Sequence, residues 1–150
     1  MRGAQIEANY MSAKVFVDTN ILVYAHDTGA GRKHETAKAL VTSFWEQKNA
    51  VISTQVLQEF YVTVRKKVLH PSDHKIAKRW ISHYLNWKVI DNSGASILRA
   101  IEFEQRYKLS FWDAMIVQAA NLSGATSLCS EDLNDGQKYG GVVVSNPFRE

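Results

Sequence analysis

Short apolar runs alternate along this chain with longer stretches of helical apolar spacing, and that alternation constrains the fold more than any other feature. Val15-Phe16-Val17 has no polar alternation at all, as a strand buried on both faces requires. Ala50-Val51-Ile52, Trp87-Lys88-Val89-Ile90, Ala125 to Cys129 and Gly141 to Val144 repeat the pattern. Between them the period changes. Ile21 to His26 forms a short helix that Thr19 or Asn20 can cap, and Gly29 and Gly31 mark the loop behind it. Residues 33–47 carry Ala37, Leu40, Val41, Phe44 and Trp45 on one helical face. After Ser53 or Thr54, either of which can cap, come Val56, Leu57, Phe60, Tyr61, Val64 and Val68. Pro71 with Ser72 opens a helix through Ile76, Trp80, Ile81 and Tyr84, and Ser93 starts one through Ile97, Leu98, Ile101 and Tyr107. Ser110 caps the last, with Met115, Ile116, Ala119 and Ala120 on its stripe and Gly124 at its end. Alternating strands and helices predict one α/β domain with a central, mostly parallel, five-stranded sheet flanked by helices on both faces.

Composition bounds the rest. At 150 residues, 45% hydrophobic and 22% charged, the chain can bury one core and is not a disordered polymer. Its single cysteine, Cys129, excludes an intrachain disulfide and fits a reducing cytoplasm, where the chain is expected to reside. Within Thr126-Ser127-Leu128-Cys129 that thiol reads as a small buried hydrophobe. No apolar run approaches the ~18 residues that span a bilayer, and no basic-then-apolar leader is visible. Residues 1–13 lack any pattern and read as a flexible extension before a domain covering 14–150; Met11 is close enough to the first strand to be an alternative start.

Four acids stand at places that a parallel sheet brings together. Asp18 ends the first strand, and Glu59 lies at the edge of an apolar helical stripe. Asp113 falls in the first turn of a helix, and Asp132 follows a strand in Ser130-Glu131-Asp132-Leu133. Singly, each has an ordinary explanation: a helix cap, a solvated glutamate, a charge favoured by the helix dipole, a turn acid. Together they reach the carboxyl end of one sheet, where such folds bind ligands. Carboxylates so gathered repel one another and raise each other's pKa, so the cluster implies a cation or retained protons.

Oxygen ligands without His or Cys select Mg²⁺ or Mn²⁺ over Zn²⁺. Such ions activate water for in-line attack at phosphorus and neutralise the departing oxygen. A phosphodiester, most naturally RNA, is therefore the expected substrate. The net charge of +3 is modest, but with the four acids set apart the remaining surface is more basic. Arg65, Lys66, Lys67, Lys75, Lys78 and Arg79 can contact a backbone or simply solvate helix faces. The histidines His26, His34, His70, His74 and His83 show no metal-ligand spacing. Trp45, Trp80 and Trp112 read as core or dimer packing rather than base-stacking platforms.

These residues resemble the PIN-domain nucleases, above all the VapC-type toxins of bacterial toxin–antitoxin pairs, over Lys14 to about Phe148. Val15 to Ala25 is similar to the family's first motif, Val56 to Tyr61 to the second, and Ser110-Phe111-Trp112-Asp113-Ala114 to the third. Ser130 to Leu133, with the closing Asn146-Pro147-Phe148, is similar to the fourth. The resemblance implies a Mg²⁺- or Mn²⁺-dependent endoribonuclease, commonly a homodimer, restrained by a cognate antitoxin. It implies metal or catalytic roles for Asp18, Glu59, Asp113 and Asp132, with Asn20 and Ser130 orienting the acids. Glu131 and Asp135 compete for the fourth position; the spacing from Ser130 favours Asp132. Two other classes compete. A receiver-type phosphoacceptor wants an acidic pair after the first strand and a lysine after the last strands, and an aspartyl phosphatase wants an acid where Asn20 stands. A non-catalytic binding module whose acids are only structural satisfies every pattern above.

Overall fold

The computed structural model describes residues 13–70 and 73–149. The expected helix start at Pro71-Ser72 lies outside these residues, as do residues 1–12 of the expected extension.

Strand β1, Val15–Val17, is buried throughout, and β2, Ala50–Ser53, repeats that pattern. Between them run helix α1, Thr19–His26, a single 3-10 turn at Thr28–Ala30, and α2, Arg32–Gln47. Helices α3, Thr54–Lys67, and α4, His74–Tyr84, lead to β3, Lys88–Ile90. Helices α5, Gly94–Tyr107, and α6, Phe111–Leu122, return the chain to β4, Ser127–Cys129. A short β5, Lys138–Tyr139, turns back into β6, Val142–Ser145.

The sheet order is β3-β2-β1-β4-β6-β5, parallel except for the β5–β6 pair. The sheet therefore has six strands where the sequence suggests five. The extra strand is two residues long and carries one buried side chain, Tyr139, too little for a periodic signal. Its hairpin is held to α6 by Asn121, which donates to Tyr139 O at 3.1 Å and accepts from Gly141 N at 2.9 Å. Gly140 has φ +61°, and a Cβ there would stand 2.4 Å from Asn121 Oδ1, so the turn requires glycine.

From β1 the chain steps outward to β2 and β3, then crosses back to β4 on the other side of β1. Right-handed crossovers put α1–α4 on one face and α5–α6 on the other. Consistently, α1 packs on α2 and α3, while α5 and α6 pack on each other and α6 lies along β2, β4 and β6. Phe16, Val17, Ile52, Phe60, Val64 and Leu128 are wholly buried at the centre. The β1–β4 boundary is the topological switch point, the place where such sheets open a crevice.

Helix starts follow local chemistry. Asp18, rather than Thr19 or Asn20, caps α1: its Oδ1 accepts from Thr19 N at 2.7 Å. Ser53 caps α3 and Ser110 caps α6, the latter accepting from Asp113 N at 3.1 Å. Ser96 Oγ accepts from Ser93 N at 2.9 Å to close the box at the start of α5.

Candidate active site

Parallel pairing of Val17 with Cys129 aligns the ends of β1 and β4, so the next residues, Asp18 and Ser130, meet. Ser130 Oγ donates to Asp18 Oδ2 at 2.7 Å and accepts from Asp132 N at 3.2 Å. One hydroxyl thus joins the first acid to the turn that carries the fourth. Asn20 Nδ2 donates to Asp132 Oδ2 at 2.8 Å. On the neighbouring helix, Thr19 Oγ1 donates to Glu59 Oε2 at 3.1 Å, and Gln55 Nε2 donates to Glu59 Oε1 at 2.7 Å. Gln55 Nε2 also reaches Trp112 O at 3.2 Å, which ties α3 to the residue before Asp113.

Electrostatics connect the same four acids. Burial pushes the Asp18 carboxyl up to about 6, against the Ser130 and Thr19 hydrogen bonds, with the charges of Asp132 and Glu59 adding to the rise. Asp132 is also raised, first by burial, then by Asp113, Glu131 and Glu59. Asp132 thus feels the charges of Asp113, Glu131 and Glu59, and Asp18 feels those of Asp132 and Glu59. The hydrogen-bond donors reaching Asp18 and Glu59 are neutral: a backbone amide, two hydroxyls and a side-chain amide.

The rival acids are engaged elsewhere. Glu131 accepts from the Tyr24 hydroxyl at 2.9 Å and pairs with Lys33. Asp135 Oδ1 accepts from Asn146 N at 2.8 Å, and Arg149 lies 3.7 Å from its other oxygen. Cys129 is 6% exposed, and burial pushes its thiol up to about 12, so it is a core residue next to Asp18 and no nucleophile. Arg65 lies six residues beyond Glu59 on α3, roughly 9 Å along the axis, and donates to the Tyr61 hydroxyl at 2.8 Å. Trp45 and Trp80 belong to a ring cluster with Tyr84 and Trp87, as core packing predicts. Trp112 is not core, being 65% exposed in the single chain, and the dimer packing given as its other role involves a second copy.

Sequence reading missed Thr19 and Gln55 as supports of Glu59. Gln55 is four residues before Glu59 on one helix, a spacing that places the two side chains together and was available in the sequence. Thr19 carried no such signal, because its contact is made across two elements.

Among the described residues, no three His, Cys, Asp or Glu side chains close into a ready-made metal cage. The donor set still suits a hard cation that keeps part of its water shell, since Mg²⁺ commonly takes only one or two protein carboxylates. A buried, raised carboxyl served only by neutral donors is the kind of group whose ionised form a cation would favour.

Fold and crevice together define an open α/β domain with an acidic centre at its switch point. The PIN domain family model matches residues 15–137, and the chain belongs to that family of nucleases. Among solved structures, a toxin–antitoxin complex from Klebsiella pneumoniae is 25% identical, covering 91% of this chain and 100% of that chain at a TM-score of 0.67. VapC20 of Mycobacterium tuberculosis, described as a sarcin-ricin loop cleaving toxin, is 23% identical over 79% of this chain and 90% of its own, at 0.63. VapBC2 from Rickettsia felis, bound to a promoter DNA fragment, is 19% identical over 88% and 97%, at 0.59. No curated protein sequence gives a significant match. Family membership sets aside the receiver and aspartyl-phosphatase readings.

Proposed function

We propose that this chain is a Mg²⁺- or Mn²⁺-dependent endoribonuclease and the toxin of a toxin–antitoxin pair. One observation carries the reading: Asp18, buried at the switch point, shares a hydrogen-bonded and electrostatic network with Glu59, Asp113 and Asp132. In this reading Asp18 and Asp132 hold the ion, with Glu59 and Asp113 completing the acidic wall. When bound, the ion supplies charge neutralisation and a water acidic enough to attack phosphorus.

The chain's own residues supply orientation. Ser130 fixes the Asp18 carboxylate and the Asp132 turn with one hydroxyl. Asn20 holds Asp132, and Thr19 with Gln55 hold both oxygens of Glu59. Supports of this kind are worth about 10–100-fold in metal affinity or activity. No nucleophilic side chain is needed.

The proposed partners are RNA, a cognate antitoxin and a second copy of the chain, in the cytoplasm. The solved relatives that are toxin–antitoxin complexes support the second. A basic antitoxin side chain entering the crevice would stand in for the metal's charge. Among the described residues, no helix is long and apolar enough to cross a membrane.

The test is RNA cleavage with Mg²⁺ or Mn²⁺, with and without chelator, beside Asp18→Asn. Cleavage lost in both the chelated and the substituted samples is expected. Cleavage that survives chelation would remove the metal from the mechanism, and a catalytically silent wild type would favour the binding-module reading.

A further inference from the structure

Glu131 and the closing segment Asn146-Pro147-Phe148 are joined beside Asp132 through Tyr24 and Lys33. Asp132 is exposed and lies in an irregular turn between β4 and β5, so no regular element sets its direction. Its chain neighbours are held instead. Leu133 is buried in the core. Glu131 has both carboxylate oxygens engaged: Oε1 accepts from the Tyr24 hydroxyl at 2.9 Å, and Oε2 pairs with Lys33. Tyr24 is four residues beyond Asn20 on α1, so the two side chains share one helix face. That face grips consecutive residues of the turn, Glu131 through Tyr24 and Asp132 through Asn20.

Tyr24 and Lys33 are themselves braced by the end of the chain. Lys33 Nζ stands 5.1 Å from the centroid of the Tyr24 ring and 5.6 Å from that of Phe148, and the two rings meet edge to face at 5.2 Å. The ring faces attract the ammonium and limit where it can go. Phe148 is placed in turn by Asn146, whose Oδ1 accepts from Phe148 N at 2.9 Å and whose own N donates to Asp135 Oδ1 at 2.8 Å. Ser130 N donates to Ser145 O at 3.1 Å, so the segment that ends β6 is tied to the turn at both Ser130 and Asp135. The Lys33 side chain is 46% exposed and that of Glu131 22%. An ion pair this open adds little to folding stability. What it restricts is the direction of the turn.

We propose that Lys33, Tyr24 and Glu131, braced by Phe148, form a clasp that positions Asp132 for the divalent ion. All four are positioning residues and act through Asp132. The inference rests on the metal-dependent nuclease reading and deepens it, because it gives Glu131 a role other than ligand. Charge and position make opposite demands on Lys33. Removing a cation from the neighbourhood of a metal site should tighten metal binding by Coulomb attraction alone. Loosening the turn should weaken it, by about 10–100-fold as for other outer partners of ligating side chains.

The experiment titrates Mn²⁺ by calorimetry into the wild type, Lys33→Met, Lys33→Arg, Tyr24→Phe, Glu131→Ala and the double variant Tyr24→Phe/Glu131→Ala. Lys33→Met and Tyr24→Phe should each weaken Mn²⁺ binding about 10-fold, while Lys33→Arg stays close to wild type. Tyr24→Phe should cost nothing further once Glu131 is gone. Melting temperatures in chelator should barely move, and KM for an oligoribonucleotide at saturating Mn²⁺ should be unchanged. Mn²⁺ binding that is equal or tighter in both Lys33→Met and Tyr24→Phe overturns the clasp while the wild type's own Mn²⁺ binding and cleavage keep the nuclease reading. A raised KM in Lys33→Met at unchanged Mn²⁺ affinity also overturns it, since Lys33 would then contact RNA instead. A wild type that binds no Mn²⁺ and cuts no RNA overturns both.

Discussion

Two regions of this molecule bury ionisable groups, and they do it to opposite ends. At the carboxyl end of the sheet, Asp18 is raised to about 6 even though a hydroxyl and a backbone amide donate to it. On the α1–α3–α4 side, burial lowers His26 to about 4 while its ring stacks on Trp80 at 4.1 Å and its Nε2 meets the Tyr84 hydroxyl at 2.7 Å. The His26 cluster suits a neutral ring: its neighbours are aromatic faces and one phenol that burial has also raised. The Asp18 crevice offers donors to the charged form, then opposes that form with burial and the charges of Asp132 and Glu59. Packing explains the His26 cluster without remainder. The Asp18 crevice keeps a buried carboxyl beside other acids, which packing alone does not explain.

The largest effect that would break this contrast is on activity. Asp18→Asn should abolish cleavage, a loss beyond the roughly 10–100-fold expected for a residue that merely supports a ligand. Without metal, the same variant should be more stable at pH 7, because it removes a carboxylate held two units above its ordinary value of 3.8, worth at most about 3 kcal/mol. Thermal melts in chelator check this. A variant that melts lower than wild type would make Asp18 an ordinary cap.

Tyr84→Ala should do the converse. Tyr84 is 3% exposed and touches His26, Trp45, Phe60 and Trp87. Truncation should cost about 3–5 kcal/mol in denaturant titrations, while kcat of the protein that remains folded stays unchanged. A selective loss of kcat would show that the two regions are one functional unit.

Next in size is the response to metal. An ion that binds only the native state stabilises it by about 2.7 kcal/mol at a hundred times its Kd. Because Asp18 must ionise to bind, and its carboxyl titrates near 6, the rise in melting temperature should be larger at pH 7.5 than at pH 5.5. Ser130→Ala removes the hydroxyl that favours the charged form, so its titration should move upward and the metal response should weaken at a given pH. An equal response at both pH values would place the ion away from Asp18.

How much of this the sequence disclosed depends on how local the cause is. Val15 to Asp18 is strand, candidate site and cap within four residues, and both its burial and its acid were legible from the apolar run alone. Asp113 behind Ser110 was legible for the same reason: the cap and the acid share one turn. The alignment of Asp18 with Ser130 follows from β1–β4 pairing across more than a hundred residues; pattern gave its end of the sheet but not the hydrogen bond. The choice among Glu131, Asp132 and Asp135 depends on where Lys33, Asn146 and Arg149 lie. Trp112 has the helical spacing of a core residue, and only tertiary packing shows that its own chain leaves it exposed.

The smallest effect is also the most discriminating, because in the wild type it is nearly cancelled. Asp18 has a folded pKa above its unfolded value, so between about 4 and 6 the folded state holds the extra proton and stability falls as pH rises. His26 has a folded pKa below its ordinary 6.5, so between about 6.5 and 4 the unfolded state takes the proton first and stability falls as pH drops. Other carboxylates add slopes common to every variant, so differences between variants isolate the two groups. Relative to metal-free wild type, Asp18→Asn should lose more stability on acidification from pH 6.5 to 4.5, since only the His26 slope then remains. His26→Gln should lose less over the same interval. Parallel melting curves for all three proteins would mean that neither group titrates as its surroundings dictate, and the contrast between a structural and a functional burial would collapse.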